Sequence, residues 1–138
     1  MKKIYLLFVL LFSSHTSFAI ELGDRIDAAT EAYLKGGVDA FIPELMKGSP
    51  LEGKKGVLTL PNNIRQIEAY YGKFLGIEPM REEQLSKRVR LVYYVMNYEN
   101  SPVFGSVILY SKPESEVVTS FQFNTELWQI APNEVIFK

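Results

Sequence analysis

Apolar residues recur at helical spacing in the first half of the chain and at strand spacing in the second. Leu22, Ile26, Ala29 and Tyr33 stand at i, i+4, i+7 and i+11, with acids and lysine elsewhere, and predict a helix over 22–35. Gly36-Gly37 is its stop signal. A shorter helix is expected over 39–46, with Asp39 as N-cap, Pro43 near the first turn, and Phe41, Ile42, Leu45 and Met46 on its apolar side. Residues 48–56 (GSPLEGKKG) form a polar loop. A third helix is expected over 61–75. Pro61 opens it, Ile64, Ile67, Tyr71 and Phe74 form one stripe, Gly72 lies inside and Gly76 follows its end.

The period then changes. Residues 77–86 are expected to hold a short first strand or an extended edge. Three runs rich in β-branched and aromatic residues follow, over 88–99, 103–112 and 116–125, separated by Asn100-Ser101-Pro102 and Pro113-Glu114-Ser115. Short turns between consecutive strands predict an antiparallel meander. Helices followed by strands place the chain in the α+β class, with three N-terminal helices packed on a curved antiparallel sheet of three to four strands.

Two-residue hairpin loops at Asn100-Ser101 and Pro113-Glu114 would pair Val95 with Ser106 and Ser106 with Phe121. One sheet face then gathers Val89, Leu91, Tyr93, Val95, Phe104, Ile108, Tyr110, Val117, Phe121 and Phe123, the layer expected to lie under the helices. Of these, Tyr93, Phe104, Tyr110, Phe121 and Phe123 are the candidate pocket residues. The other face gathers Val92, Tyr94, Met96, Tyr98, Val103, Val107, Leu109 and Val118, bordered by Arg90, Ser120, Gln122 and Asn124. A sheet with one face in water should alternate apolar and polar residues, and this second face is apolar in its middle. A homodimer or a bound protein is expected on it, with Arg90, Tyr94, Met96, Tyr98, Val107 and Leu109 as candidate interface residues. The alternative is cover by the C-terminal segment with Trp128, Ile130 and Ile136.

The chain opens on Met1-Lys2-Lys3, the apolar run Ile4–Phe12, and a polar stretch ending Ser17-Phe18-Ala19. This is a signal-peptide pattern with expected cleavage after Ala19, since nine apolar residues are too few to span a bilayer. Residues 20–138 would then form one domain, exported to the periplasm or beyond, in the style of a Gram-negative bacterium. The segment removes Lys2, Lys3 and the sole histidine, His15, leaving 119 residues with 13 basic and 16 acidic side chains, and no cysteine occurs anywhere. Such a domain has no disulfide, no His or thiolate metal site and no Ser-His-Asp or Cys-His nucleophile. No metal or cofactor is expected. Its net charge of −3 gives no reason to expect nucleic acid, and none of its segments is expected in a membrane after cleavage.

Candidate chemistry is sparse. Phosphate-loop, dinucleotide, nucleophile-elbow and EF-hand motifs do not occur. Tyr93-Tyr94 and Tyr70-Tyr71 offer hydroxyls for a ligand or an enolate, or simply core packing with the hydroxyl at a rim. The strand interior from Arg88 to Tyr98 holds no carboxylate, and Asp24, Asp27 and Glu31 read as solvated. Arg81, Lys87, Arg88 and Arg90 suit an anion clamp, or pairing with Glu82 and Glu83. Trp128 reads as a lid over the end of the core.

Leu34-Lys35-Gly36-Gly37, the Tyr71-Gly72 pair, the Tyr98–Val103 hairpin, Leu109–Lys112 and Ser120–Asn124 together resemble the nuclear-transport-factor-2-like superfamily of cystatin-like α+β cones, over nearly the whole exported part. More narrowly, the chain is similar to its small exported bacterial members without an assigned function. The resemblance implies a conical pocket between sheet and helices and dimers through the sheet. The superfamily's enzymes use His-Asp pairs or an Asp base with a Tyr/Asp oxyanion hole. The first is impossible here, and no residue matches the second, so no catalytic residue is assigned. The expected role is non-catalytic binding of a small apolar ligand in the cone or of a protein partner through the sheet. The rivals are a cofactor-free lyase or isomerase using tyrosine and a carboxylate, and an accessory domain of an envelope or secretion assembly.

Overall fold

The computed structural model describes residues 20–137; residues 1–19, where a signal peptide is expected, lie outside them. Helix α1 (Asp24–Gly36) turns at Gly37 directly into α2 (Val38–Met46), the Gly37 N–H donating to Tyr33 O at 2.8 Å. Gly37, not Asp39, occupies the cap position of α2, and no side chain caps it. After the loop comes a 3-10 turn (Val57–Thr59) and α3 (Leu60–Tyr71). Helix α3 is one turn shorter than its apolar stripe suggested. Gly72 takes the left-handed φ of 84°, which glycine alone adopts without strain, and its N–H closes the helix on Glu68 O. Phe74 therefore belongs to the next strand.

Four antiparallel strands follow in the order β1-β2-β3-β4: β1 (Phe74–Gln84), β2 (Val89–Tyr98), β3 (Pro102–Ser111) and β4 (Glu116–Asn124). The fold is α+β, three helices preceding and packing on a four-stranded sheet, an arrangement compatible with a cone. β1 is a full strand of 11 residues, longer than the short edge expected, with register irregularities at Gly76 and near Pro79. A second 3-10 turn (Leu127–Gln129) and a short helical turn α4 (Asn133–Ile136) complete the described chain.

The two sheet faces are used in the opposite sense to the one expected. The β2–β3 register is offset by two residues from the expected one, pairing Val95 with Phe104 and Tyr93 with Ser106, which preserves face parity. The β3–β4 pairing starts as expected, Ser111 with Glu116 and Tyr110 with Val117. It then slips by one residue at a bulge on Thr119, so that Ile108 pairs with Ser120 and Val107 with Phe121. A slip of one residue sends every later side chain to the other face. Phe121 and Phe123 thus leave the face of Val117 and join Tyr94, Val107 and Leu109, while Ser120, Gln122 and Asn124 move to the other side. With two aromatic rings added and three polar residues removed, this becomes the face worth burying.

The core forms there. Ile26, Ala29 and Tyr33 of α1, Val38, Phe41, Ile42, Leu45 and Met46 of α2, and Ile64 of α3 bury against Val92, Tyr94, Met96, Tyr98, Val103, Val107, Leu109 and Val118. The aromatic rings continue across the layers. Tyr33 stacks on Phe74 at 3.9 Å, Phe41 meets Phe121 edge-on at 6.0 Å, and Phe121 stacks on Tyr94 at 5.5 Å. Tyr94 reaches its place over Gly105, the residue opposite it on β3. A methyl group on Gly105 would stand 2.1 Å from the Tyr94 ring. Its hydroxyl continues to β4 and donates to Gln122 O at 2.8 Å.

The opposite face, with Leu91, Tyr93, Val95, Phe104, Ile108, Tyr110 and Val117, carries Glu78, Arg81, Glu83, Asn97 and Ser106 among its apolar residues. The C-terminal segment crosses it. From the end of β4 the chain brings Leu127 and Ile136 to Met80 and Arg81 of β1, and Ala131 is fully buried. Such cover was the alternative to a dimer, on the other face. Trp128 is 54% exposed and lies 6.0 Å from Phe137 at the edge of this segment, so it closes no core.

Gly105→Ala is expected to lower the unfolding free energy by about 1–3 kcal/mol, because the Tyr94 ring has to leave its rotamer. Urea denaturation of the variant checks this; an unchanged midpoint would show that the ring does not need the gap.

Candidate partner-binding groove along β4

The six residues expected at an interface are not on a free surface. Tyr94, Met96, Tyr98, Val107 and Leu109 are buried beneath the helices, the result of the bulge described above. Arg90 lies on the same face and is also enclosed. Its guanidinium binds both oxygens of Glu116 at 2.7 and 2.8 Å, stands 3.6 Å from Glu82, and donates to Glu21 O and Leu22 O. The Glu116 hydrogen bond, working against burial, raises its pKa further above the ordinary arginine value, so it remains charged. Arg81 pairs with Glu83 at 2.9 Å. The anion-clamp reading of these arginines therefore gives way to pairing with carboxylates. Asp24, Asp27 and Glu31 are exposed, as expected.

The five candidate pocket residues are divided between the faces. Tyr93, Phe104 and Tyr110 lie on the side crossed by the C-terminal segment, and Phe121 and Phe123 lie on the helix side. They do not form one pocket. The interior between helices and sheet is occupied by Tyr33, Phe41, Phe74, Tyr94 and Phe121 themselves.

Tyrosines do gather inside the core, though not the pair the sequence singled out. Tyr33 and Tyr98 are buried with their rings against Phe74, and their hydroxyls face one another and Glu68 without reaching hydrogen-bond geometry. Burial first, then this surrounding, pushes Tyr33 well above the ordinary phenol range. Burial likewise pushes Tyr98 up to about 12. Tyr94 is raised by burial too. All three are neutral phenols at physiological pH. Their packing against phenylalanine rings gives a substrate no place beside them. Sequence spacing could not have found the Tyr33–Tyr98 pair, since α1 and β2 meet only through the fold. Among the described residues no group of three or more His, Cys, Asp or Glu side chains could hold a metal ion, and no helix is long and apolar enough to cross a membrane.

No protein-family model, curated protein or solved structure matches the chain.

What the fold leaves open is the outer edge of β4. This strand pairs with β3 on one side and has no strand on the other. Its first half is strapped. Ser49 Oγ donates to Val118 O, Leu51 N donates to Ser49 Oγ at 3.0 Å, and Lys112 Nζ donates to Gly48 O at 3.0 Å. Beyond the bulge, two open clefts follow the edge. One of about 350 Å³ lies between Leu51, Val57 and Leu60 and the stretch from Thr119 to Gln122. The next, about 490 Å³, lies between Ile67, Tyr70 and Tyr71 of α3 and Phe123 and Thr125. Tyr70 is 83% exposed at its rim. The groove was not legible in the sequence. Its floor depends on the bulge that turns Phe121 and Phe123 toward α3.

Two expectations follow. Replacing both Tyr33 and Tyr98 by Phe should leave stability unchanged within about 1 kcal/mol or raise it, since buried hydroxyls without partners contribute nothing but desolvation. A loss above 2 kcal/mol in chemical denaturation would show that the hydroxyls hold the core. Asp27→Asn concerns charge. Although Asp27 is exposed overall, partial loss of water around its carboxyl, and then Asp24 and Glu21, raise it, so its ionised form carries a cost in the folded state. Stability linked to a raised carboxyl is full below its unfolded pKa and is lost as pH rises through the folded value. The amide should therefore raise the melting temperature at pH 7, and the gain should vanish below about pH 3.9, the ordinary carboxyl value. Melting curves across this range decide it.

Proposed function

We propose that this chain is an exported, non-catalytic binding domain that holds a protein partner by taking an extended segment of it along the free edge of β4. We read the helix-on-sheet arrangement as a nuclear-transport-factor-2-like cone whose interior is filled with its own aromatic side chains, which favours a partner outside the cone over a small ligand within it.

The contrast between the two sheet edges carries this reading. Edge strands offer unpaired backbone groups, and proteins guard them with charge, proline and irregularity. β1 has all three: Glu78, Arg81, Glu82 and Glu83, Pro79, and two breaks in register. β4 from Thr119 to Asn124 (TSFQFN) has no charged residue and no proline, and its one irregularity, the bulge, stands at the start of the stretch. The clefts beside it follow residues 119–125, seven positions or about 20 Å of extended chain. A bound segment in this position gains main-chain hydrogen bonds from β4, and its alternate side chains enter the clefts under α3. Lys54 is the charged residue lining them, so the fitting segment is mostly apolar on one side, with room for an acid near Lys54.

Peptides selected from a random display library against the purified domain test this. The selected sequences should alternate apolar and polar residues, and their binding should slow hydrogen exchange of amides in 119–125. Tyr70→Ser, at an exposed position, should leave the melting temperature unchanged and weaken binding about tenfold, the scale of one lost aromatic contact. Protection mapped to another surface, or full affinity in the variant, would count against the groove. Self-association with the same protected amides would make a second copy the occupant.

A further inference from the structure

Ile20, the first described residue, lies in an open cleft of about 530 Å³ with Met80, Arg81 and Glu82 of β1 and Leu127 and Ile136 of the C-terminal segment. The chain just after it is clamped. Arg90 Nη1 donates to Glu21 O at 2.9 Å, and the same nitrogen stands 3.6 Å from Glu82 Oε1, so the Glu21 carbonyl and the Glu82 carboxylate are at most about 6.5 Å apart. Arg90 Nη2 holds Leu22 O at 3.0 Å. Gly23 then turns away with φ 96°, where a Cβ would stand 2.2 Å from Nη2. Residue 20 is thereby held in the cleft that Glu82 also lines.

Negative charge is in excess around this point. Glu21 precedes α1, Asp24 and Asp27 lie on it, Glu82 comes from β1 and Glu116 from β4. Against them stand Arg90, already bound by Glu116 and Glu82, Arg81, bound by Glu83, and, on the far side of Asp24 and Glu116, Lys47 and Arg25, the latter bound by Glu44. Leu127 and Ile136, which close the cleft from the C-terminal side, bring no charge. The crowding is felt at Asp27, whose carboxyl, though the residue is exposed overall, is raised by partial desolvation and by its acidic neighbours. One more cation at residue 20 would relieve it.

The sequence supplies a way to make that cation. Ser17-Phe18-Ala19 is a cleavage signal, and the bond after it is the one before Ile20. We propose that hydrolysis of the Ala19–Ile20 bond completes the fold, the new Ile20 ammonium pairing with Glu82 in the cleft between β1 and the C-terminal segment. A signal-cleaving protease adds water across the bond, leaving a carboxylate on Ala19 and an amine on Ile20 that takes up a proton at neutral pH. In the precursor the same nitrogen is an uncharged amide. This ion pair forms only after cleavage, and the uncleaved chain lacks it.

The test uses full-length chain expressed with export and purified from the envelope. Its mass should correspond to a start at Ile20. The α-amino pKa, followed by NMR, should lie at least half a unit above the usual 7.7–8.0, and Glu82→Gln should abolish the shift. Acetylating the α-amine should lower the melting temperature of the native protein by several degrees at pH 6–7. Because the folded pKa is the raised one, this difference should fade as pH rises above about 9. Glu82→Gln also touches Arg90, so the acetylation effect is measured in that variant as well; it should disappear there, isolating the pair from any general loss of stability. A start at another residue, an ordinary α-amino pKa, or an acetylation effect that persists in Glu82→Gln would each overturn the proposal.

Discussion

One guanidinium ties the outer strands to the helical layer. Arg90 stands on β2, yet its contacts reach Glu82 on β1, Glu116 on β4 and the carbonyls that lead into α1. Its side chain is 13% exposed. A charge so enclosed needs every one of these partners, because removing any leaves part of it desolvated and unmatched. The consequence is geometric. The entry to α1 is set by two hydrogen bonds to one side chain, and the left-handed Gly23 is required by the space that side chain occupies. From there α1 and α2 descend over the sheet as a pair.

A second constraint decides which face they descend onto. The extra residue at Thr119 reverses the last part of β4 and carries Phe121 and Phe123 to the side of Tyr94. Tyr94 can lie flat across β3 because Gly105 has no side chain, and its hydroxyl ends on the backbone of β4. A continuous run of rings from Phe74 through Tyr33 and Phe41 to Phe121 fills the interior. A domain without disulfides depends on such packing for its stability. The same packing fills the space between sheet and helices, and the open grooves lie outside it, along the edge of β4.

Much of this was legible residue by residue. The α+β class, the helix over Asp24–Gly36, the helix ending at Met46 and three of the four strands follow from spacing and turn residues, with bounds shifted by one or two positions. Pairing of the arginines with nearby carboxylates was also open to view. The groove was not. Two neighbouring apolar faces of similar strength competed for the helices, and a period-two pattern alone gives neither priority. The apolar count of each face depended on whether β4 kept its register, and a bulge leaves no mark in a run such as Val117–Phe123. The full length of β1 was obscured for a different reason: charged residues that guard an edge also dilute the strand signal.

The sequence by itself determined the elements, their order and the chemistry that this chain lacks, because those depend on local spacing and on which side chains exist. The tertiary structure decided which face became core, which tyrosines met and which edge stayed open. These are long-range choices. They turned on a one-residue register slip between β3 and β4, on the space over Gly105, and on a charge in β2 that had to be matched from three other parts of the chain.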